Sequence, residues 1–554
     1  MRVAVIGAGA SGLTAIKACK EEGVDVICYE RSDNIGGLWR YRDNDEEGLA
    51  SVAKSTIINT SKEITAFSDF PPPKEFPNYM HNTLMFKYLQ LYAKEFELIP
   101  HIKFQHRVED ITQADDYGTT GKWKIHVLNL KSGLEHVEVV GAVMICTGHH
   151  IFPYMPSFPG QKNFRGDIIH THSYKKPDKF EDKKVVVVGV GNSGGDAAVE
   201  VSHVASQVYL STRRGSWVFH RVGRNGRPYD DKLLRRFRNI LFHILPFDYT
   251  CTTIENGLNS RFDHKKYQLQ PKHRILQQHP MINDSLPNRI LSGRVIVKGN
   301  IQRFVERGVI FEGEDKVTEV DKVIFATGYE IKFPFVSKDI IKTIENQIEL
   351  YKFVYPPHLQ HPTLAVIGLI QIVGGLFPIS EMQSRWFVRV IKKNVILPSE
   401  KDMKEDIKLT LDQLKQRYYS SKRHTIQVDY IDYLDEISSY INAKPNFLRM
   451  LFTDFDLFRA LMMGPSLPYQ YRLQGPNSWH RARETILSYE ERFNAPLQSR
   501  FKNKKLNKKY EGTNLRKLIK YAEFKQRIKL PRIKKSNTTL SPSYAIIDYL
   551  HHSS

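Results

Sequence analysis

The sequence predicts an α/β protein with two parallel sheets, in which one domain is inserted into the other. Three observations support this prediction. A short apolar strand runs directly into a glycine-rich turn and a helix at Gly7, and the same arrangement recurs at Gly189. Two further strands end in Thr-Gly, at residues 146–148 and 326–328, where we expect the chain to cross between the domains.

The order of elements follows from the apolar periodicity. Residues 2–6 read as a buried strand, residues 11–22 as a helix and residues 24–29 as a second strand, which is a βαβ start. The elements predicted after them are a proline-rich loop (69–77), a helix (84–98), strands between 103 and 148, a second βαβ start (184–188, 191–204, 207–210), two strands (321–326, 364–367) and two helices (403–418, 429–441).

The first glycine turn has the features of a dinucleotide site. Its residues are Gly7-Ala8-Gly9-Ala10-Ser11-Gly12, and Glu30 ends the next strand. The first glycine makes the tight turn, the second lets a pyrophosphate approach the backbone, and the third lets the helix pack on the strand. The helix N-terminus favours phosphate, and the Glu30 carboxylate can accept hydrogen bonds from both ribose hydroxyls.

The second glycine turn predicts a different nucleotide. It reads Gly189-Val190-Gly191-Asn192-Ser193-Gly194, and its next strand ends in Ser211-Thr212-Arg213-Arg214 rather than in an acid. Hydroxyl and guanidinium groups bind a 2′-phosphate, which a carboxylate would repel. The second site is therefore expected to prefer NADPH over NADH, and the pair of sites predicts FAD plus NADPH.

These two sites define the predicted domains, which are Rossmann-like. The FAD-binding domain is discontinuous, over 1–155 and 330–445, and the NADPH-binding domain, 156–329, is inserted into it. Residues 216–295 lack a clear period and are interpreted as an insertion within the NADPH domain. A C-terminal helical region (446–499) and a basic tail (500–554) complete the chain.

The composition narrows the chemistry. With 554 residues and 41% hydrophobic residues, the chain is long and apolar enough for several folded domains. Its four cysteines form no CxxC pair, which argues against a disulfide framework, a cysteine-rich metal site and the paired thiols of a disulfide reductase. No metal site is predicted. A quinone-type reductase and a monooxygenase both remain compatible with a flavin and NADPH.

A family resemblance decides between these classes. Residues 164–174, FRGDIIHTHSY, fit the pattern FxGxxxHxxxY by which flavin-containing monooxygenases are identified. The segments at 36–41 (GGLWRY), 59–63 (NTSKE), 69–71 (DFP) and 325–329 (FATGY) also match that family, and the resemblance extends over about residues 1–495. The sequence resembles the animal microsomal branch. We interpret His170 and Tyr174 as structural.

The resemblance implies site residues and a reaction. The cofactor-binding residues implied are Gly7, Ala8, Gly9, Ala10, Ser11, Gly12, Glu30, Gly37, Leu38, Trp39, Asn59, Thr60 and Gln371 in the FAD domain, and Gly189, Gly191, Asn192, Ser193, Gly194, Gly195, Asp196, Thr212 and Arg213 in the NADPH domain. The family forms a C4a-hydroperoxyflavin, which oxygenates soft nucleophiles such as amines and sulfides.

Two residues are predicted to be catalytic. Asn59 would position NADP⁺ and stabilise the oxygenated flavin, because its amide both donates and accepts hydrogen bonds. Asn59-Thr60-Ser61 also reads as a glycosylation sequon, the alternative interpretation. His279 stands where family members that oxidise nitrogen and sulfur often carry Glu. With His at this position, the sequence resembles a mammalian isoform that performs Baeyer–Villiger oxygenation of ketones. A largely uncoupled NADPH oxidase and an inactive, flavin-free member are further alternatives.

The charge bears on location. The formal net charge is +21, but residues 500–535 alone hold fifteen Lys or Arg against two acids. The basic tail is expected either to contact an anionic membrane surface or to be solvated. By resemblance the enzyme belongs on the cytosolic face of the endoplasmic reticulum, or in the cytosol if the tail does not anchor it. No nucleic-acid motif is present, and a homo-oligomer is possible.

One apolar segment needs a separate interpretation. Residues 362–379 are nearly long enough for a membrane span, but they contain Gln371, three glycines and Pro378. We therefore expect a buried strand followed by a glycine-rich turn. The opening residues predict a strand rather than a signal peptide, and the few cysteines favour a reducing compartment.

Overall fold

Each glycine turn lies beside the central strand of a five-stranded parallel sheet in the computed structural model, which describes residues 1–419 and 425–498. The strands of the first sheet, in spatial order, are Leu364–Val366, Ala142–Ile145, Arg2–Ile6, Asp25–Glu30 and Ile102–Phe104. The strands of the second are Val295–Lys298, Gln207–Ser211, Lys184–Val188, Lys322–Phe325 and Asp167–His170. The predicted fold class is confirmed.

The sheets also follow the predicted segments. Every strand of the first sheet falls within 1–155 or 330–445, and every strand of the second falls within 156–329. The boundaries between the domains stay a prediction. In both sheets the central strand is buried on both faces, which explains the continuous apolar runs at Val3–Val5 and Val185–Val187. The predicted basic tail, 500–554, lies outside the described residues.

The sheets are covered by helices. The α-helices of the described residues are Ala10–Glu21, Lys62–Thr65, Asn82–Glu95, Tyr117–Thr120, Asn192–Val201, Tyr229–Leu233, Arg236–Ile244, Phe247–Asn259, Leu286–Leu291, Leu376–Ile391, Glu400–Arg417, Tyr430–Tyr440, Phe447–Thr453, Phe455–Met463, Ala482–Leu487 and Tyr489–Asn494. The predicted helices beginning near residues 11, 84, 191, 403 and 429 are confirmed within a few residues at each end.

The remaining strands form small sheets. Two are antiparallel and three-stranded: His106–Gln113 with Trp123–Asn129 and Glu135–Val140, and Ile301–Val305 with Gly308–Phe311 and Thr318–Glu319. Four are short pairs: Phe152–Pro153 with Tyr329–Glu330, Val218–Phe219 with Met281–Ile282, Thr343–Ile344 with Gln347–Ile348, and Gln371–Ile372 with Gln427–Val428.

The apolar segment 362–379 contains a buried strand, as predicted. Leu364–Val366 joins the first sheet, and a turn through Gly368 follows. The helix Leu376–Ile391, which begins inside this segment, was not predicted. It packs against Ala10–Glu21 and is buried on nearly all sides, including polar residues such as Glu381 and Arg385. Among the described residues, no helix has both the length and the hydrophobicity for a membrane crossing.

Buried charges join the C-terminal helical region to the helices Ala10–Glu21 and Leu376–Ile391. The Arg472 side chain is fully buried; its guanidinium donates to Glu381 Oε1 at 2.7 Å, to Ser68 Oγ at 2.7 Å and to Glu21 Oε1 at 3.1 Å. Glu21 ends the helix that follows the first glycine turn. A buried cation needs such partners because water cannot reach it, so this contact links the end of the fold to its beginning.

Candidate functional site

A large cavity lies at the carboxyl ends of the first sheet, where ligands bind in open parallel sheets. Its volume is about 1190 Å³. The predicted site residues that line it are Gly7, Gly9, Ala10, Ser11, Glu30, Gly37, Leu38, Trp39, Asn59, Thr60 and His279. The structure thus brings both predicted catalytic residues to the cavity that begins at the first glycine turn.

The backbone around the first glycine turn leaves room for a phosphate. A Cβ atom on Gly12 would lie 1.8 Å from the carbonyl oxygen of Gly7, so only glycine lets the helix start this close to the strand. The helix Ala10–Glu21 has no side-chain cap and no acidic residue in its first turn. Its first N–H groups are therefore available to an anion, and these residues fit a dinucleotide pyrophosphate.

Glu30 is held in place at the cavity wall. Its Oε2 accepts a hydrogen bond from the backbone N–H of Ala8 at 2.6 Å, and its Oε1 accepts one from Ser32 at 2.8 Å. The residue is only 6% exposed. Each carboxylate oxygen retains further acceptor capacity, which suits the hydroxyl groups of a ribose.

Residues of the predicted insertion, 216–295, contact the segment that carries Asn59. Arg221 Nη2 donates to Asn59 Oδ1 at 2.8 Å, and Asp230 Oδ2 accepts from the backbone N–H of Ser61 at 2.6 Å. Burial raises the pKa of Asp230 to about 6. Both Arg221 and Asp230 belong to the predicted insertion, so the insertion forms part of this site.

His279 lies where two cavities meet. The second cavity, of about 630 Å³, shares Phe219, Leu233, Leu234, His279, Pro280 and Val373 with the first. Phe242 and Leu276 are among its further lining residues. A continuous space thus extends from the site of Asn59 past His279. Its wall combines apolar side chains with polar ones such as Gln277 and Asp432, which suits a small organic molecule.

The second glycine turn opens on a separate cavity of about 970 Å³. Gly189, Gly191, Thr212 and Arg213 line it, and the helix Asn192–Val201 also begins without a side-chain cap or an early acid. An adjoining cavity of about 830 Å³ is lined by basic residues, namely Arg213, Arg214, Lys272 and Lys298. Arg213 is exposed and forms no ion pair with a described residue. This arrangement fits a nucleotide with a 2′-phosphate.

The other predicted residues near this turn lie in the first turns of the helix rather than in the cavity wall. They are Asn192, Ser193, Gly194, Gly195 and Asp196. Asn192 Oδ1 accepts from Ile282 N–H at 2.7 Å, and Asp196 Oδ1 accepts from Asn283 Nδ2 at 2.9 Å. Burial raises the pKa of Asp196 to about 6.

Three predicted positions lie outside the cavity walls of the FAD domain. Ala8 contributes its backbone N–H to Glu30, and Gly12 lies under the turn. Gln371 is in a short strand that pairs with Gln427–Val428 and is not among the lining residues of the large cavity. His170 and Tyr174 are buried; Asp167–His170 is an edge strand of the second sheet, which supports a structural role for that motif.

A family model described as "Flavin-binding monooxygenase-like" matches residues 1–522. The chain belongs to this family. Flavin-containing monooxygenase 5 of Rattus norvegicus is 50% identical over 501 residues, covering 90% of this chain and 93% of that protein. The human protein of the same name is 47% identical, and human flavin-containing monooxygenase 2 is 43% identical, both with the same coverage.

Solved structures show the same fold. S-allyl-L-cysteine S-oxygenase from Allium sativum aligns with a TM-score of 0.61 at 23% identity, covering 88% of this chain and 99% of that one. An ε-caprolactone-bound cyclohexanone monooxygenase aligns with a TM-score of 0.57 at 16% identity, covering 79% and 98%. Family membership confirms the predicted enzyme class, an FAD- and NADPH-dependent monooxygenase that acts on small molecules with O₂.

Several residues of the site were missed from the sequence. Arg221, Asp230, Asp284 and Lys272 all lie in 216–295, which has no periodicity and no motif. The roles of Arg221, Asp230 and Asp284 depend on contacts with residues more than 50 positions away, such as Arg221 with Asn59. A short-range sequence pattern cannot reveal such pairs.

The insertion also contains a pH-sensitive contact. His264 is fully buried; its Nε2 accepts from the backbone N–H of Val218 at 3.1 Å, and Asn259 Oδ1 lies 2.7 Å from Nδ1. Only the neutral imidazole can accept from Val218, and burial lowers the pKa of His264 to about 4.

We therefore predict that His264 makes stability pH-dependent. The unfolded imidazole titrates near pH 6.5, so the stabilisation is complete above that pH and is lost as pH falls towards about 4, by about 1.4 kcal/mol per pH unit. His264→Gln should make the free energy of unfolding less dependent on pH between these values. His126→Gln, the control at an exposed position, should leave that dependence unchanged. Equal slopes for wild type and His264→Gln would contradict this.

Proposed function

We propose that the protein transfers one oxygen atom from O₂ to soft nucleophilic nitrogen or sulfur atoms of small molecules, at the Asn59 end of the large cavity. Each turnover consumes NADPH, a proton and O₂; the second oxygen atom leaves as water and NADP⁺ is released. The supporting observation is that one cavity joins an uncapped helix N-terminus, the Glu30 carboxylate and the Asn59 amide.

The chain's own residues divide the binding of the cofactors. The first glycine turn and Glu30 would hold the pyrophosphate and ribose of FAD, with Gly37, Leu38 and Trp39 along the same wall. The second glycine turn, Thr212 and Arg213 would hold NADPH. When bound, FAD accepts a hydride from NADPH and supplies the activation of O₂ that amino acid side chains lack.

Asn59 would act by orientation and hydrogen bonding rather than as a nucleophile. Its Oδ1 is occupied by Arg221, so its Nδ2 donor is the group available to a bound nicotinamide or to a developing negative charge. The apolar wall formed by Phe219, Leu233 and Leu234 would exclude water, which prevents the loss of reducing power as free H₂O₂.

Ketone oxygenation is the second candidate, and His279 favours it. A carboxylate at this position would attract a protonated amine, whereas an imidazole has no permanent charge and can donate a hydrogen bond to a carbonyl oxygen. His279 lies at the junction of the two cavities, where a substrate would pass or stop. Comparing a sulfide, a tertiary amine and a ketone as substrates, with product scored, decides between the two reactions.

Replacing Asn59 tests the proposed function. Asn59→Leu, and likewise Asn59→Ala or Asn59→Asp, should retain FAD but lower the product formed per NADPH by about tenfold or more, with H₂O₂ formed instead, because a hydrogen-bond donor at the reaction site is lost. The control is Asn163→Leu at an exposed position outside the cavity. Full coupling in Asn59→Leu would disprove the assigned role.

Replacing Arg213 tests the nucleotide preference. Arg213→Gln should lower kcat/KM for NADPH by about tenfold and leave kcat/KM for NADH nearly unchanged, because only NADPH carries the 2′-phosphate. The exposed Arg303→Gln serves as the control for loss of a surface charge. A parallel decrease for both nucleotides would show that Arg213 does not read the 2′-phosphate.

We further propose that the protein contacts the cytosolic face of an anionic membrane such as that of the endoplasmic reticulum. Apolar side chains are exposed on neighbouring helices: Phe237, Ile240 and Ile244 on Arg236–Ile244, and Leu448, Phe452 and Phe455 on the helices from Phe447 to Met463, where Phe452 is 80% exposed. Such a patch is unusual on a soluble surface. The basic sequence of 500–535 would add attraction to anionic lipid.

Sedimentation with vesicles tests the membrane contact. The full chain should bind phosphatidylserine-containing vesicles. The double variant Ile244→Ser, Phe452→Ser should bind them about tenfold more weakly, because each substitution reduces the apolar surface that enters the membrane. The control is the double variant Leu134→Ser, Val137→Ser, which removes exposed apolar groups at the strand Glu135–Val140 rather than on these helices. Equal binding by both double variants would contradict the assignment of this face.

A further inference from the structure

Arg221 makes an unusual set of contacts with the chain around Asn59. Its side chain is 12% exposed. Nη2 donates to Asn59 Oδ1 at 2.8 Å and to the carbonyl oxygen of Ile57 at 3.3 Å, and Nε donates to the carbonyl oxygen of Ile58 at 3.0 Å. One guanidinium therefore contacts three consecutive residues that end at the proposed catalytic amide.

Asp284 holds Arg221 at two points. Its Oδ1 accepts from the backbone N–H of Arg221 at 2.9 Å, and its Oδ2 accepts from Nη1 at 3.0 Å. Tyr79 donates its hydroxyl proton to the carbonyl oxygen of Arg221 at 2.9 Å. The guanidinium therefore has little freedom to leave Asn59, since its backbone and its side chain are both fixed.

The chemistry of the pair assigns the orientation of the Asn59 amide. A guanidinium has only donors, so the atom that faces Arg221 must be the amide oxygen. The amide nitrogen Nδ2 then points away from Arg221, and no described residue accepts a hydrogen bond from it. The positive guanidinium beside the amide oxygen also polarises the amide and makes its N–H groups stronger donors.

We infer that Arg221 is a positioning residue that fixes Asn59 as a hydrogen-bond donor to the reacting groups, and that Asp284 keeps Arg221 in place. The inference rests on the proposed role of Asn59. It extends that role by making the insertion part of the reaction site, because Arg221 and Asp284 come from the insertion and Asn59 comes from the first domain.

The segment from Ile282 to Asp284 connects Arg221 with the helix of the second glycine turn. Asp284 directly follows Asn283, whose Nδ2 donates to Asp196 on the helix of the second glycine turn. Asn192 on that helix accepts from Ile282. Residues 282–284 thus contact the NADPH helix on one side and, through Arg221, Asn59 on the other.

The test compares Arg221→Met, which keeps the length of the side chain without its donors, with Arg221→Lys, which keeps the charge and one donor group. Both are assayed as holoenzyme for product and H₂O₂ per NADPH. Arg221→Met should raise the share of NADPH lost as H₂O₂ by about tenfold, while KM for NADPH changes by less than about threefold; Arg221→Lys should be intermediate.

A double variant separates positioning from general damage. In an Asn59→Leu background, Arg221→Met should add almost no further uncoupling, because its effect passes through Asn59. The matched control is Arg261→Met, whose Nη2 donates to the backbone carbonyl of Asp284 at 3.0 Å but does not contact Asn59; it should stay coupled.

The possible failures are distinct. Failure of the wild-type protein to oxygenate any substrate would overturn the proposed function. Coupled turnover by Asn59→Leu would overturn the role proposed for Asn59 and, with it, this inference. Uncoupling by Asn59→Leu with normal coupling in the Arg221 variants, or additive effects in the double variant, would overturn this inference alone. If Arg221→Met does not retain FAD, Arg221→Lys decides: wild-type coupling in that variant overturns the inference, and partial uncoupling that disappears in the Asn59→Leu background supports it.

Discussion

Both nucleotide sites depend on one type of backbone contact. A Cβ atom on Gly12 would lie 1.8 Å from the carbonyl oxygen of Gly7, and one on Gly194 would lie 2.0 Å from that of Gly189. Each helix therefore begins immediately beside the end of a central strand, with no side-chain cap on its first N–H groups. The large cavity includes the first of these turns, so this contact determines the geometry of its anion-binding end.

From this common start the two sites acquire opposite charge. Glu30 provides a fixed carboxylate in the first, whereas the second opens on an exposed Arg213 beside other basic residues. The insertion then adds what neither parallel sheet provides. It contributes Phe219 and His279 to the large cavity and contacts the chain at Asn59 and Ser61. This region contacts both the Asn59 segment and the helix of the second glycine turn, which is the basis for proposing one reaction site between the two cofactors.

Features that depend on residues close together in the chain could be predicted from the sequence. The buried strands, the two glycine turns and the contrast between Glu30 and Arg213 are readable because strand burial and anion binding depend on adjacent residues. The helix Leu376–Ile391 was missed because it begins directly after Gly374 and Gly375 and contains Pro378, residues that favour a turn. Arg221 and Asp284 were missed because their partners are distant in the chain, and Gln371, which was predicted on resemblance, lies outside the wall of the large cavity.

We propose that this protein transfers an atom of dioxygen to a bound molecule, rather than only reducing dioxygen. The decisive experiment supplies purified protein with NADPH, a sulfide and dioxygen labelled with heavy oxygen, and measures the mass of the product. We expect one labelled atom in each sulfoxide molecule and the other in water. Unlabelled sulfoxide, or consumption of NADPH with only H₂O₂ formed from sulfides, amines and ketones alike, would contradict the account.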